Sequence, residues 1–266
     1  MVLAIDIGNT NIVMGAISEE NGRRRIHFTS RISTDKSKTA DQHAVEVKDI
    51  FHMYGLDVSA LDGAIIASVV PSLSFVFASA IERVIGIKPM MVEPGMKTGL
   101  DIKIDNPAQL GSDIVVSCVA AIEKYPTPMC VIDLGTATTM TVVDNKNAIL
   151  GCLIIPGIRI SLEALRTNTS QLQDISLDAP KNLIGKNTTD SMKSGLIIGN
   201  AVMFDGVLDR IEKQLGRELT AGATGDPAQF VIPHCMRDIK IDDNLMMDGL
   251  YILYKKNADI KAGKHK

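Results

Sequence analysis

Val2-Leu3-Ala4-Ile5-Asp6-Ile7-Gly8-Asn9-Thr10-Asn11-Ile12-Val13-Met14-Gly15-Ala16-Ile17 lies at the start of the chain. Met129-Cys130-Val131-Ile132-Asp133-Leu134-Gly135-Thr136-Ala137-Thr138-Thr139-Met140-Thr141-Val142-Val143 repeats its pattern. Each stretch reads as an apolar strand, an Asp-apolar-Gly turn with hydroxyl or amide residues, and a second apolar strand. That is the pattern of a β-hairpin. The two aspartates stand 127 residues apart in a chain of 266. One such turn is an ordinary hairpin feature; two at half-chain spacing point to a doubled unit, two similar domains facing each other across a cleft.

The turn chemistry suits phosphate. Glycine lets a ligand approach the backbone closely. Successive backbone N–H groups, with Asn and Thr side chains, can cradle phosphate oxygens. An Asp at the strand end can hold a cation directly or through water.

The rest of the chain alternates strands and helices. Apolar residues at Ala44, Val47, Ile50 and Phe51 carry helical spacing over residues 39–54. Residues 63–70 read as a buried strand ended by Pro71, 72–87 as a helix and 88–92 as a short strand. Residues 107–124 read as a helix linking the halves, and 191–215 as a long helix. Residues 229–232 read as a short strand, 246–254 as the start of a last helix, and 255–266 as a Lys-rich solvated tail. This alternation predicts an α/β protein. Hairpins ahead of the helices predict mixed sheets.

Composition narrows the function. Lys+Arg 28 against Asp+Glu 31 leaves a net charge of −3, without the basic excess of a general nucleic-acid or membrane-surface binder. Aromatics are only 4%, too sparse for base-stacking platforms. No apolar run approaches 18 residues, so no membrane span is expected. The N-terminus has no basic region and does not read as a signal peptide. Cys118, Cys130, Cys152 and Cys235 lack metal or redox spacing and read as reduced thiols of a cytoplasmic protein. The histidines show no metal-ligand spacing, and no P-loop, dinucleotide fingerprint or Ser/His/Asp signature occurs.

The doubled turn resembles the two phosphate loops of the acetate-kinase/sugar-kinase/actin superfamily. Within it, the chain is similar to type III pantothenate kinases from Ile5 to about Asn257. The first loop is Asp6-Ile7-Gly8-Asn9-Thr10-Asn11; Lys97-Thr98-Gly99-Leu100, Asp105-Asn106-Pro107 and Gly111-Ser112-Asp113 form the central segment. Asp133 to Thr139 is the second loop. Pro156-Gly157-Ile158, Ile184-Gly185-Lys186-Asn187-Thr188 and Ser194-Gly195 follow in order.

The resemblance implies two ribonuclease-H-like, actin-like ATPase domains, taken as residues 1–108 and 109–266, with the site in the cleft between them. It implies transfer of phosphate from ATP to pantothenate, the first step toward coenzyme A. Asp6, Ile7, Gly8, Asn9, Thr10, Asn11, Ile12 and Val13 would wrap the ATP phosphates, with Asp6 near Mg²⁺. Thr136 would contact ATP, and Asp133 would hold a monovalent cation, potassium or ammonium. Asp113 would accept the hydroxyl proton, and Gly111, Ser112, Ile114 and Thr188 would line the pantothenate site. The family is homodimeric; Gly195, Gly199 and Ala201 on the long helix could serve that packing.

The departures from the family pattern fall mainly on the acceptor side. Ile114 stands where the family usually has an Arg that reads the pantothenate carboxylate, and Ile104 where it has a Tyr. Cys152 and Asp226 replace glycines, and Gln173 replaces a proline. An Arg–carboxylate bond contributes roughly 1.5–3 kcal/mol. Three readings stay open: Lys103 or Arg159 supplies the missing cation; the acceptor is another small alcohol; or the chain is a nucleotide-binding regulator with little kinase activity.

Overall fold

The computed structural model describes residues 1–263. Five strands form the first sheet: β1 (Val2–Ile7), β2 (Asn11–Glu20), β3 (Arg23–Ser33), β4 (Gly63–Ser68) and β5 (Met90–Met91). Their order is β3-β2-β1-β4-β5. The first three make an antiparallel meander, while β4 lies parallel to β1 with Ile7 beside Ser68. α1 (Ala40–Met53) and α2 (Pro71–Ile85) connect the strands. α1 starts at a capping box in which Thr39 and Gln42 satisfy each other's backbone N–H groups. α2 starts with Pro71 in its first turn and stops at Gly86 in the left-handed conformation.

The second sheet runs β11-β10-β7-β8-β9-β6. Its strands are β6 (Asp101–Ile102), β7 (Met129–Leu134), β8 (Ala137–Val143), β9 (Ala148–Pro156), β10 (Thr220–Thr224) and β11 (Ile239–Ile241). β7, β8 and β9 form an antiparallel meander, β10 lies parallel to β7, and β11 lies parallel to β10. The order β9-β8-β7-β10-β11 therefore reproduces β3-β2-β1-β4-β5 strand for strand. Even the shift in register recurs between the second and third strands of each meander, where β3 and β9 each carry one extra residue opposite Ala16/Ile17 and Val142/Val143. The doubled hairpin in the sequence is the visible part of a duplicated mixed sheet.

The helices divide with the sheets. α3 (Ser112–Lys124) precedes β7, and α4 (Ile158–Asn168) follows β9. α5 (Thr188–Lys193), a π-helical segment Ser194–Ile198 and α6 (Gly199–Leu215) run on with helical backbone through each junction. α7 (Ala228–Val231) and α8 (Leu245–Gly263) complete the set. Each sheet has its own core. Leu3, Ile5, Ile66, Phe51 and Phe77 anchor the first; Ile132, Met140, Leu196, Phe204 and Ala223 anchor the second.

The chain forms two compact units. The first comprises Met1–Gly99, Asn106–Ala120 and the chain from Asn244 on; the second comprises Leu100–Asp105 and Ala121–Asp243. This grouping differs from a single division after residue 108. α8 packs on β1, β2 and β4, and Gly249 brings it so close to Val116 of α3 that a Cβ would strike that residue's backbone. The first unit thus takes in α8 from the end of the chain and the larger part of α3.

Two local expectations are corrected. Residues 229–232 are not a strand: Ala228–Val231 is a turn of helix, and the strand that extends the sheet is β10. Short apolar runs suit either state, and Pro227 favours a helical start. The Lys-rich stretch is not simply a tail, because α8 continues to Gly263; residues 264–266 lie outside the described residues.

Candidate active site

The first unit contains both the first loop and Asp113. Asp6 is the penultimate residue of β1, and Asn11 opens β2. Between them the loop is held by a backbone bond from Gly8 N to Asn11 O at 3.0 Å. A Cβ on Gly8 would lie 3.1 Å from that same oxygen, which explains the glycine. Asn9 and Thr10 are exposed, and Asp6, Gly8, Asn11 and Val13 are partly so. Ile7 and Ile12 are wholly buried in the core, so a ligand can meet only their backbone.

Thr34, the residue after β3, grips this loop. Its N–H donates to Thr10 O at 3.0 Å and its hydroxyl to Gly8 O at 2.7 Å. Nothing in the loop motif marks Thr34. Its place follows from the β2–β3 ladder, which pairs Asn11 with Ser33.

Asp113 stands in the first turn of α3, partly buried. Burial pushes its carboxyl above the usual carboxylate range, against the opposing pull of the Ile114 N–H, which donates to its Oδ1 at 2.9 Å. A perturbed, partly buried carboxyl of this kind marks a functional candidate. Gly111 leaves it room, since a Cβ there would crowd Asp113 Oδ1. Ser112 donates its hydroxyl to Ser68 O at 3.2 Å. Ser68 also accepts the Val70 N–H and the Ser74 hydroxyl on its own hydroxyl oxygen. Ser112 was expected to line the acceptor site, whereas Ser68 was not singled out by the sequence; a serine at a strand end is too common to mark itself.

The second loop is Gly135-Thr136, between Asp133 on β7 and Ala137 at the start of β8. Both loop residues are exposed, and Asp133 is partly so. Glycines press on it from two sides. Gly157, after β9, packs so close that a Cβ would collide with the carbonyls of Gly135 and Thr136. Gly225, with φ of 96°, would place a Cβ 2.6 Å from Leu134 O. Thr188, at the exposed start of α5, follows Asn187, whose side chain accepts the Asp190 N–H at 2.8 Å. Ile114 lies in the first unit, and Ile104, Cys152 and Asp226 in the second.

No group of three or more His, Cys, Asp or Glu side chains able to hold a metal occurs among the described residues. A loop offering one carboxylate, Asp6, fits a magnesium ion that arrives with nucleotide phosphates, because Mg²⁺ commonly takes one or two protein carboxylates and fills its shell with phosphate and water. No helix among the described residues is long and apolar enough to cross a membrane.

A duplicated mixed sheet, with a glycine turn after the first strand of each copy, defines an α/β protein of the actin-like, ribonuclease-H-like class. Two solved structures share that fold over almost the whole chain. A Campylobacter jejuni protein described as a Baf family transcriptional activator aligns with TM-score 0.57 at 19% identity, covering 97% of this chain and 99% of its own. A Sinorhizobium meliloti protein described as a 2-dehydro-3-deoxygalactonokinase aligns with TM-score 0.57 at 9% identity, covering 96% of each chain.

Sequence comparison goes further. The family model for type III pantothenate kinase matches residues 2–210. Curated relatives named type III pantothenate kinase are 39% identical in Exiguobacterium sp. (97% of this chain, 99% of the relative) and 40% identical in Halalkalibacterium halodurans (97% and 100%). The chain belongs to the type III pantothenate kinase family.

Proposed function

We propose that the protein transfers the γ-phosphoryl group of ATP to the primary hydroxyl of pantothenate, giving 4′-phosphopantothenate on the way to coenzyme A. Full-length similarity to relatives named for that activity carries the reading. Asp113, a partly buried carboxyl in the same unit as the first loop, gives it a chemical basis.

Phosphoryl transfer needs alignment and charge neutralisation more than covalent help. Asp6 to Val13 would cradle the ATP phosphates, through backbone alone at Ile7 and Ile12, with Thr136 adding a hydroxyl contact. Mg²⁺ beside Asp6 would neutralise phosphate charge. Asp133 would hold the potassium or ammonium ion. Asp113 would orient the pantothenate hydroxyl and take its proton as the oxygen attacks the γ-phosphorus and the bond to ADP breaks. Gly111, Ser112, Ile114 and Thr188 would border the acceptor.

Other features of the family extend the reading. A homodimer would cover the exposed face of the long helix at Gly195, Gly199 and Val202, which is 63% exposed; Ala201, expected on that face, is instead wholly buried in the second core. The enzyme would work in the cytoplasm.

The test is a product assay. Protein with Mg-ATP and a potassium or ammonium salt is incubated with and without pantothenate, and mass spectrometry follows 4′-phosphopantothenate. Product that disappears in Asp113→Asn supports the reading. Nucleotide binding without product would move the weight to another alcohol or to a regulatory role, and a screen of small alcohols separates those two.

A further inference from the structure

We propose that Thr34 is a positioning residue for the nucleotide phosphates: by holding two carbonyls of the first loop, it turns that loop's N–H groups toward the ligand. The inference rests on reading the loop as a phosphate cradle.

The geometry is specific. Thr34 reaches two alternate peptide planes at once, with its hydroxyl on Gly8 O at 2.7 Å and its N–H on Thr10 O at 3.0 Å. In a trans peptide the C=O and the following N–H point in opposite directions. Holding Gly8 O therefore aims the Asn9 N–H away from Thr34. Holding Thr10 O does the same for the Asn11 N–H. The two donors are presented on the loop's far side without waiting for a ligand to order them. A preset array of this kind gains affinity by avoiding the ordering cost.

Thr34 is itself fixed from both ends. Behind it, β3 pairs with β2 up to Ser33. Ahead, Asp35 accepts the Ser37 N–H at 2.9 Å and the Ser37 hydroxyl at 2.6 Å. Lys38 then pairs with Glu46, whose other oxygen meets the buried ring of His43 at 3.1 Å on α1. The strap from Ser33 to α1 is tied within itself between Asp35 and Ser37 and to α1 between Lys38 and Glu46, which stiffens the grip on the loop.

The hydroxyl bond can be removed alone. Thr34→Val keeps the N–H and the branched shape, and Thr34→Ser keeps both donors. Losing one bond of this kind is worth roughly 3- to 10-fold. The measurements are the dissociation constant of Mg-ATP by calorimetry, the KM values for ATP and pantothenate, kcat and the melting temperature. Expected for Thr34→Val is a 3- to 10-fold weaker Kd and higher KM for ATP, an unchanged KM for pantothenate, and recovery to within about twofold in Thr34→Ser. Unchanged ATP binding in Thr34→Val would overturn the proposal. So would equal weakening of both substrates with a lowered melting temperature, which marks a merely structural role. A wild type that binds Mg-ATP but makes no phosphopantothenate would sink the assigned reaction, yet the Kd ratio would still decide Thr34. A wild type that binds no nucleotide would overturn both.

Discussion

Ser112 donates its hydroxyl to the backbone carbonyl of Ser68 at 3.2 Å, and Ser68 ends β4 directly beside Ile7 of β1. The bond fastens the first turn of α3, and so Asp113, to the strand ends from which the first loop springs. Removing it in Ser112→Ala frees that turn without touching the carboxylate. The expected result is a kcat lower by roughly 2- to 10-fold, the worth of one neutral hydrogen bond, with little change in melting temperature. Steady-state kinetics beside a thermal melt checks it; an unaltered kcat would show that Asp113 is placed by other contacts.

Asp113→Asn is the stronger perturbation. A proton acceptor contributes typically 100-fold or more, so kcat should fall at least that far. Stability should move the other way. Burial raises the folded-state pKa of Asp113 above its unfolded value, so the neutral form is favoured in the fold. Above the folded pKa the carboxylate is charged in both states, and its burial costs stability. As pH falls through the folded pKa that cost is relieved. Asn carries no charge, so Asp113→Asn should melt higher than wild type at neutral pH, with the advantage fading below the unfolded pKa. The same shift places the acid limb of the wild-type kcat/KM profile above the ordinary carboxylate range. Melts across pH and a pH–rate profile test the two halves; a variant less stable at neutral pH would contradict the first.

The contrast between Asp113 and Thr34 shows what the sequence can carry. Asp113 was legible only through the family resemblance, whereas Asp6 and Asp133 announce themselves because each sits in a doubled turn of glycine and hydroxyl residues. The hairpins were legible for the same reason, as apolar alternation around a short turn. Thr34 and Ser68 act through pairing between distant segments, and a serine or threonine at a strand end leaves no local mark. The duplicated topology was only half visible. β1 and β7 are continuous apolar runs, whereas Arg23–Ser33 is polar and Thr220–Thr224 is short, so the partners that complete each copy did not read as strands. Domain membership was hidden too: the chain enters the second unit, returns through residues 106–120, and returns again at Asn244.

Gly157→Ala tests the second loop. The backbone of Gly157 is not in a glycine-only conformation, with φ of −65°, so alanine is tolerated locally. Its Cβ, however, would run into the carbonyls of Gly135 and Thr136, and backbone cannot step aside as a side-chain tip does. Overpacking of this sort costs about 1–3 kcal/mol. The expected outcome is a lowered melting temperature together with a loss of turnover larger than the stability change explains, since the distorted turn carries Thr136. Full activity in a variant that melts lower would show that the loop shape is not used in catalysis.

Lys103 and Arg159 are the two candidates for the cation absent at Ile114, and their surroundings differ. Lys103 already lies 3.8 Å from Asp101, which spends part of its charge. Arg159 is exposed in the first turn of α4, two residues after the glycine that packs on the second loop, and its guanidinium makes no ion pair among the described residues. A guanidinium also suits a carboxylate better than an ammonium, because it can donate two parallel bonds. Arg159→Ala should therefore raise the KM for pantothenate roughly 10- to 150-fold while leaving the KM for ATP near wild type. Lys103→Ala should change either value by less than about threefold, as exposed pairs usually do. Pantothenamide, which lacks the carboxylate charge, supplies the control: Arg159→Ala should barely affect its use. Equal loss with both acceptors would mean that Arg159 shapes the site rather than reading the charge. No loss with either would return the role to Lys103 or leave the carboxylate to solvent.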